Sequence, residues 1–320
     1  MQEREMAEKN KILVIKTGSH LYGTNTEKSD VDYIGIFLPD IEYVLGFRHC
    51  DEVDLSKKSK LEDGKNAPDA VDIKYYEFRK FVKLALDNNP NILEVLFVNK
   101  ENIVYINEIG EKLLALKHLF PYKGLKQKFL GYAFSQKHKM VIKRDNYFNL
   151  VQAYDYLKKF SDDKYISEIT ISNKCPNFIT TTYDEKHNTK FIVIGDLNLQ
   201  PSFTISKIKD ILKERINKVG NREELLLKHG YDTKFGSHLV RLMFEGKELL
   251  ETNNIEFPLK ERKLLLDIKR GEHPITYILE LAEKLEADIE TLAVSSNLRS
   301  KSAFSEIEQF TINILKEKLI

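Results

Sequence analysis

The chain is poor in cysteine, and this excludes two classes of protein. Cys50 and Cys175 are the only cysteines in 320 residues. They lie far apart and form no Cys-x-x-Cys pair, so the sequence predicts neither a disulfide framework nor a zinc site. Isolated thiols fit a reducing compartment, and we expect a cytoplasmic protein.

The sequence also lacks an excess of charge of either sign and any long apolar run. Lysine and arginine number 50 against 49 aspartates and glutamates, a formal net charge of +1. No bulk positive field therefore indicates a nucleic-acid partner, and any basic surface has to be local. Residues 1–10 have no apolar signal-peptide core, and no run is long enough to predict a membrane span.

Short apolar runs in the first hundred residues predict a sheet with one flanking helix. We expect strands at residues 11–16, 30–38 and 71–76, each rich in β-branched or aromatic side chains. Residues 77–86 carry apolar side chains at helical spacing, and the charged residues 51–69 predict a loop or hairpin between strands.

The rest of the chain favours helices. Residues 108–159 are mainly periodic at helical spacing, and residues 161–205 break that pattern with a strand predicted at 191–194. The 42% apolar content is enough for two domains. We therefore predict an α/β (α+β) protein, with a small mixed-sheet domain at 1–105 and a larger, mainly helical domain at 106–320.

Three aspartates predict a metal site. Asp30 and Asp32 are two residues apart on the predicted strand, so both carboxylates should point to one face of the sheet. Two carboxylates that close repel each other unless a cation lies between them, and Mg²⁺ prefers such hard oxygen ligands. Asp72, on the next predicted strand, would complete a site for two metals about 4 Å apart. Each acid taken alone also fits a solvated strand edge.

A Gly18-Ser19 turn follows the first predicted strand and offers the other half of a site. Such a turn exposes backbone N–H groups and a hydroxyl, and glycine lets a phosphate approach closely. On its own, Gly-Ser after a strand is also typical of an ordinary turn. Taken together, however, the turn and the three aspartates provide in one segment the groups needed to bind a phosphate, bind a metal and act as a base.

These motifs resemble the active-site signature of the DNA polymerase beta nucleotidyltransferase superfamily. The closer resemblance is to a predicted nucleotidyltransferase family associated with RNA repair ligases. That family is similar in its Gly-Ser-x-x-Tyr-Gly opening, its Ser-Asp-x-Asp-x-x-Gly-Ile-Phe segment and its Asn-Pro-x-x-Leu-Glu-x-Leu-Phe segment, which stand here at residues 18–23, 29–37 and 89–97. Residues 131–137, 234–242 and 268–272 also resemble it.

The resemblance implies transfer of a nucleoside monophosphate from an NTP, ATP among the candidates, to an acceptor hydroxyl. Asp30 and Asp32 would hold Mg²⁺ or Mn²⁺, and Asp72 would ligate the catalytic metal and help to deprotonate the hydroxyl. Gly18 and Ser19 would hold the triphosphate. The expected acceptor is an RNA 3′ end, in RNA or tRNA repair or modification.

Two alternatives stay open for the function. The same chemistry serves a protein or small-molecule hydroxyl, which a net charge near zero leaves possible. A non-catalytic NTP- or RNA-binding module is the other alternative, although three clustered acids that repel RNA argue against it. The sequence does not indicate an oligomeric state.

A basic helix face near residue 240 is a further nucleotide-binding candidate. Lys234, His238 and Arg241 stand at i, i+4 and i+7, so they share one face of a predicted helix. Such a face holds a triphosphate or an RNA backbone, and it is also typical of an ordinary solvated surface. The family resemblance favours substrate contact.

Overall fold

The structure is a computed structural model of the 320-residue chain. It describes residues 2–27, 29–57, 71–170, 175–185, 188–217, 225–226 and 228–319, without the side chains of residues 142 and 319. Most of the loop or hairpin predicted at 51–69, namely residues 58–69, and residues 171–174 and 186–187 of the predicted break at 161–205 lie outside the described residues.

Contacts between Cα atoms divide the chain into two compact units. The first, here called the sheet unit, comprises residues 1–134, 239–267 and 280–320, and the second, the insert unit, comprises residues 135–238 and 268–279. This division does not follow a linear boundary at residue 105, because C-terminal helices belong to the unit that holds the first sheet. The mixed α+β class is confirmed.

A five-stranded mixed sheet forms the centre of the sheet unit, in the order β3-β4-β2-β1-β5. Its strands are β1 Lys11–Thr17, β2 Asp32–Phe37, β3 Glu52–Asp54, β4 Asp72–Glu77 and β5 Ile103–Ile106. β2 and β4 run parallel, and the other neighbours are antiparallel. The expected strands at 11–16, 30–38 and 71–76 are therefore present, with β2 starting two residues later than its prediction.

One face of this sheet packs on a small apolar cluster that includes the first helix. Met6 and Ala7 of that helix are buried with Val14 of β1 and Phe37 of β2. Gly35 is required on β2, because a Cβ there would lie 2.2 Å from the Tyr75 ring. The interior therefore fixes the register of β2 against β4.

Helices make up most of the remainder of both units. The residue bounds of the helices in chain order are α1 Gln2–Lys9, α2 Ser19–Tyr22, α3 Ile41–Val44, α4 Phe78–Leu86, α5 Pro90–Leu93, α6 Glu108–Ala115, α7 Leu125–Leu157, α8 Ile166–Thr170, α9 Ile205–Asn217, α10 Thr233–Thr252, α11 Arg262–Arg270, α12 Ile275–Ser295 and α13 Phe304–Leu319. Short 3₁₀ turns follow α5 and α6. Among the described residues, no helix combines the length and apolarity needed to cross a membrane.

The insert unit has its own sheet and its own core. Its strands are β6 Thr180–Asp184, β7 Thr189–Ile194 and β8 Leu197–Leu199, antiparallel in that order. Buried Ile192 and Ile194 of β7 pack with Leu150 of α7 and Ile208 of α9. The strand expected at 191–194 is present, and its partner β6 has an exposed, threonine-rich sequence that periodicity does not reveal.

Candidate active site

Strand direction brings the ends of three strands to one edge of the first sheet. β2 and β4 are parallel and start there with Asp32 and Asp72, which are paired in register. β1 is antiparallel to β2, so its last residue, Thr17, stands opposite Asp32. The two aspartates are therefore neighbours on adjacent strands, and the Gly18-Ser19 turn begins beside them.

The turn after β1 has a backbone that only glycine adopts readily. Gly18 has φ 62° and ψ −137° and precedes the short helix α2. A Cβ at Gly18 would lie 2.6 Å from Oδ2 of Asp32. The Asp32 carboxylate thus occupies the space that a side chain at Gly18 would need. This close contact brings the turn and the carboxylate together in one site.

Asp30 differs from the other two acids in its setting. It is exposed and precedes β2, which begins at Asp32. The alternation of a strand therefore does not fix the direction of its side chain, and a role beside Asp32 stays a prediction. No group of three histidine, cysteine, aspartate or glutamate side chains has a metal-binding arrangement within the described ranges.

A cleft of about 370 Å³ opens over this part of the sheet. Its lining is strongly acidic and comes from four strands and the segment after β3. The lining residues are Thr17, Asp32, Tyr33, Ile34, Glu52, Asp54, Ser56, Asp72, Ile73 and Lys74. The cleft therefore holds two of the three predicted carboxylates together with acids that the sequence did not single out.

A buried polar cluster lies beneath the glycine turn. The Tyr22 hydroxyl, at the end of α2, donates to Glu94, with O–O distances of 2.9 and 3.0 Å. The Thr17 hydroxyl donates to the same carboxylate over 3.4 Å. Glu94 is thus bonded to the residues on both sides of the Gly18-Ser19 turn, and we infer that it holds the turn in place.

Arg241 belongs to the same cluster. Its Nη1 donates to Glu94 over 2.8 Å and to the two oxygens of Glu245 over 2.9 and 3.0 Å. Its guanidinium also lies over the Tyr22 ring, 4.3 Å from the centroid. Both carboxylates and the guanidinium are buried. Two buried carboxylates therefore share one buried guanidinium.

Burial changes the protonation of this cluster. It raises the pKa of the Glu245 carboxyl to about 8 against the opposing charge of Arg241. Burial likewise raises the pKa of Glu94, again opposed by Arg241. A net negative charge is costly to bury, so a proton on one carboxyl stabilises the cluster near neutral pH.

The three members of the predicted basic helix face have different settings. Arg241 is buried in the sheet unit with two carboxylate partners. Lys234 and His238 are exposed and belong to the insert unit. All three lie on α10, as their spacing predicted, but Arg241 is buried and does not contribute to an exposed basic face. Its direct contact with a nucleotide phosphate stays a prediction, and it would require exchange of the Glu94 and Glu245 partners.

Within the insert unit, two of the sequence motifs meet. Asp232 caps α10 by accepting from the backbone N–H of Lys234 over 3.1 Å. The Thr233 hydroxyl donates to the Lys269 carbonyl over 2.9 Å. The start of segment 234–242 is thus hydrogen-bonded to segment 268–272, a contact that the sequence resemblance did not predict.

Several residues of the site were not identified from the sequence. Tyr22 and Glu94 stand inside quoted motifs, so the motifs themselves were a usable signal. Glu52 and Asp54 line the cleft because β3 pairs with β4, and Lys74 lines it because it follows Asp72 by two residues on β4. A three-residue strand with two exposed acids gives no periodicity to detect.

Comparison with known proteins supports the family suggested by these motifs. A model described as RlaP, the RNA repair pathway DNA polymerase beta family, matches residues 1–159. The match covers the first sheet, the glycine turn and all three predicted carboxylates.

Two individual proteins are similar over greater lengths. An uncharacterized 38.9 kDa protein in the nrdC-mobD intergenic region of Enterobacteria phage T4 is 25% identical over 303 residues, 88% of each chain. A nucleotidyltransferase-like protein from Exiguobacterium sibiricum aligns over 92% of this chain and 72% of its own, at 8% identity and a TM-score of 0.26. A TM-score this low does not bear on the chemistry.

Proposed function

We propose that the chain is a metal-dependent nucleotidyltransferase, because residues 1–159 match the model of the RNA repair pathway DNA polymerase beta family. It transfers the nucleoside monophosphate of an NTP to an acceptor hydroxyl and releases pyrophosphate. The acceptor that we propose is an RNA 3′ end. Both the family description and the exposed Lys234 and His238, which suit phosphate contacts, support RNA and NTP as partners.

The observation that carries this proposal is the register of β2 against β4. Asp32 and Asp72 are paired at the start of two parallel strands, and a Cβ at Gly18 would touch Asp32. The Gly18-Ser19 turn, which we propose binds phosphate, and two carboxylates therefore meet at one edge of the sheet. Two adjacent acids beside a glycine turn suit displacement at a polyphosphate.

The donor set fits a magnesium ion. Asp32 and Asp72 offer hard carboxylate oxygens in an open cleft, which is the ligand chemistry that Mg²⁺ prefers with substrate phosphates as further ligands. We propose Asp30 as the third carboxylate ligand. When bound, the ion polarises the phosphoryl oxygens and favours ionisation of the attacking hydroxyl.

The protein's own groups position the two substrates. The backbone of Gly18 and the Ser19 hydroxyl bind the triphosphate. Lys234 and His238 remain candidates for contacts to a nucleotide or RNA phosphate. Asp72 accepts the proton of the acceptor hydroxyl. Glu94, bonded to Thr17 and Tyr22, positions the turn, and Arg241 neutralises Glu94.

A labelling assay tests the proposal. We expect wild-type protein with Mg²⁺ to incorporate α-labelled NTP into RNA, and both Asp32→Asn and Asp72→Asn to fall by at least about a hundredfold. Asp87→Asn is the matched control, because Asp87 is an exposed partner of Lys128 outside the cleft. Equal labelling by the wild type and both cleft variants would refute the assignment.

The choice of acceptors in that assay separates the alternatives. Label on a protein or an aminoglycoside-type hydroxyl, with none on RNA, selects the second enzyme function. NTP or RNA binding without transfer selects a non-catalytic module. We also propose a cytoplasmic location, supported by Cys50 and Cys175, which are free thiols.

A further inference from the structure

The lining of the cleft includes four acidic side chains and a single basic one among the described residues. Its lining includes Asp32, Glu52, Asp54 and Asp72, and Lys74 is the one basic side chain among the described residues there. An acidic cleft repels a polyanionic acceptor, so the position of this cation bears directly on which acceptor fits.

Strand geometry places Lys74 beside the predicted catalytic pair. It follows Asp72 by two residues on β4, so both side chains point to the same face of the sheet. In the ladder it stands opposite Asp54 of β3 and next to Ile34 of β2. Lys74 thus lies two residues farther along the strand direction than the paired Asp32 and Asp72.

Lys74 is held by contacts that a substrate can replace. Its Nζ lies 2.9 Å from Oε2 of Glu52 and 5.3 Å from the centroid of the Tyr76 ring. The two paired side chains are 44% and 48% exposed. An exposed ion pair contributes at most about 1 kcal/mol and is readily exchanged.

The order of strands separates two sides of the site. The glycine turn follows β1, Asp32 and Asp72 begin β2 and β4, and β3 is the outer strand beyond Lys74. With the donor triphosphate at the turn, as in the function proposed above, the side of β4 and β3 is left for the acceptor. Lys74 is therefore on the acceptor side.

We propose that Lys74 binds a backbone phosphate of the RNA acceptor next to its 3′ end, exchanging Glu52 for that phosphate. This rests on the proposed function and adds an acceptor-binding residue to it. A protein or small-molecule acceptor without a negatively charged group next to its hydroxyl offers no ion-pair partner for the Lys74 ammonium. Lys74 thus favours RNA over those acceptors, and Glu52 is its competitor in the absence of RNA.

Two substitutions with opposite expected effects test the proposal. The probe is a ten-nucleotide single-stranded RNA with a 5′ fluorescein and a free 3′ hydroxyl, followed by anisotropy in Mg²⁺ without NTP. We expect Lys74→Met to weaken binding about five- to tenfold and to reduce the salt slope by about 0.7. Glu52→Gln removes the competitor and should tighten binding about twofold or more.

A second lysine provides the matched control. Lys80 makes a similar half-exposed pair with Asp51 over 3.0 Å, and it does not line the cleft. Lys80→Met should bind RNA as the wild type does. If Lys74→Met and Glu52→Gln weaken RNA binding equally, the pair merely ties β3 to β4 and the proposal is overturned. Unchanged binding by Lys74→Met, or no RNA binding by the wild type, overturns it as well.

Turnover separates this inference from the proposed function. Where the wild type transfers label, Lys74→Met should raise KM for RNA and leave KM for the NTP unchanged. Transfer with an unchanged KM for RNA refutes the role of Lys74 and leaves the enzyme assignment standing. RNA binding that depends on Lys74 without any transfer refutes the enzyme assignment and leaves Lys74 as an RNA contact.

Discussion

At the scale of single residues, the cluster of Glu94, Arg241 and Glu245 is the most unusual feature of the site. Two buried carboxylates share one guanidinium, and one of them bonds both sides of the glycine turn. Removing one partner from such a cluster leaves a buried charge uncompensated, which costs several kcal/mol. The cluster therefore links protonation in the interior to the stability of the fold.

The pKa of Glu245 determines whether the free energy of unfolding rises or falls with pH. The folded-state pKa of its carboxyl is raised to about 8, mainly by burial, whereas an unfolded glutamate titrates near about 4.3. Between those values the folded chain holds a proton that the unfolded chain has lost. The free energy of unfolding therefore falls as pH rises through this window, by up to about 1.4 kcal/mol per pH unit.

The substitution Glu245→Gln should flatten this dependence. The amide replaces the protonated carboxyl and cannot ionise, so we expect unfolding free energies near those of the wild type at about pH 5 and above them at about pH 9. Urea denaturation at each pH measures the difference. Glu251→Gln, an exposed change on the same helix, is the control and should follow the wild type. Parallel curves for Glu245→Gln and the wild type would contradict the buried proton.

At the scale of elements, the turn between β1 and α2 joins the parts of the site. Gly18 has a positive φ, and its missing Cβ leaves room for the Asp32 carboxylate. Alanine there strains the backbone by about 1–3 kcal/mol and displaces the carboxylate.

We expect Gly18→Ala to lower transfer by about a hundredfold or more, since a displacement of about 1 Å costs that much in a positioned site. The matched control is Gly131→Ala on α7, where a Cβ meets nothing within 4 Å. That variant should gain about 0.5–1 kcal/mol of stability, because alanine favours a helix, with unchanged transfer. Labelling rates and urea midpoints of the two variants give the comparison. Full activity of Gly18→Ala would show that the turn does not position Asp32.

The elements that the sequence predicts are those with a clear local pattern. β1, β2, β4 and α4 were expected because their apolar and β-branched residues alternate or recur at helical spacing. β3 and β5 were not predicted, since a strand as short as Glu52–Asp54 is specified by its partner rather than by its own residues. The burial of Arg241 was also missed, because Glu94 lies 147 positions away in the sequence.

At the scale of the whole molecule, the division into units separates the candidate groups. Gly18, Asp32 and Asp72 belong to the sheet unit, and the exposed Lys234 and His238 belong to the insert unit. The family match at residues 1–159 covers the first set and ends before the second. The chemistry proposed at the sheet edge is thus supported by the strand geometry and by the family match, whereas the role proposed for the basic residues depends on the resemblance of residues 234–242.

The most direct test of the central proposal follows the α-phosphate and the γ-phosphate of the NTP separately. RNA, Mg²⁺ and protein are incubated in parallel with α-labelled and γ-labelled NTP, and the products are resolved. We expect the α label in RNA and the γ label in pyrophosphate, in equal amounts, with both lost in Asp72→Asn. A γ label in RNA, or its release as inorganic phosphate, would show that the protein is not a nucleotidyltransferase.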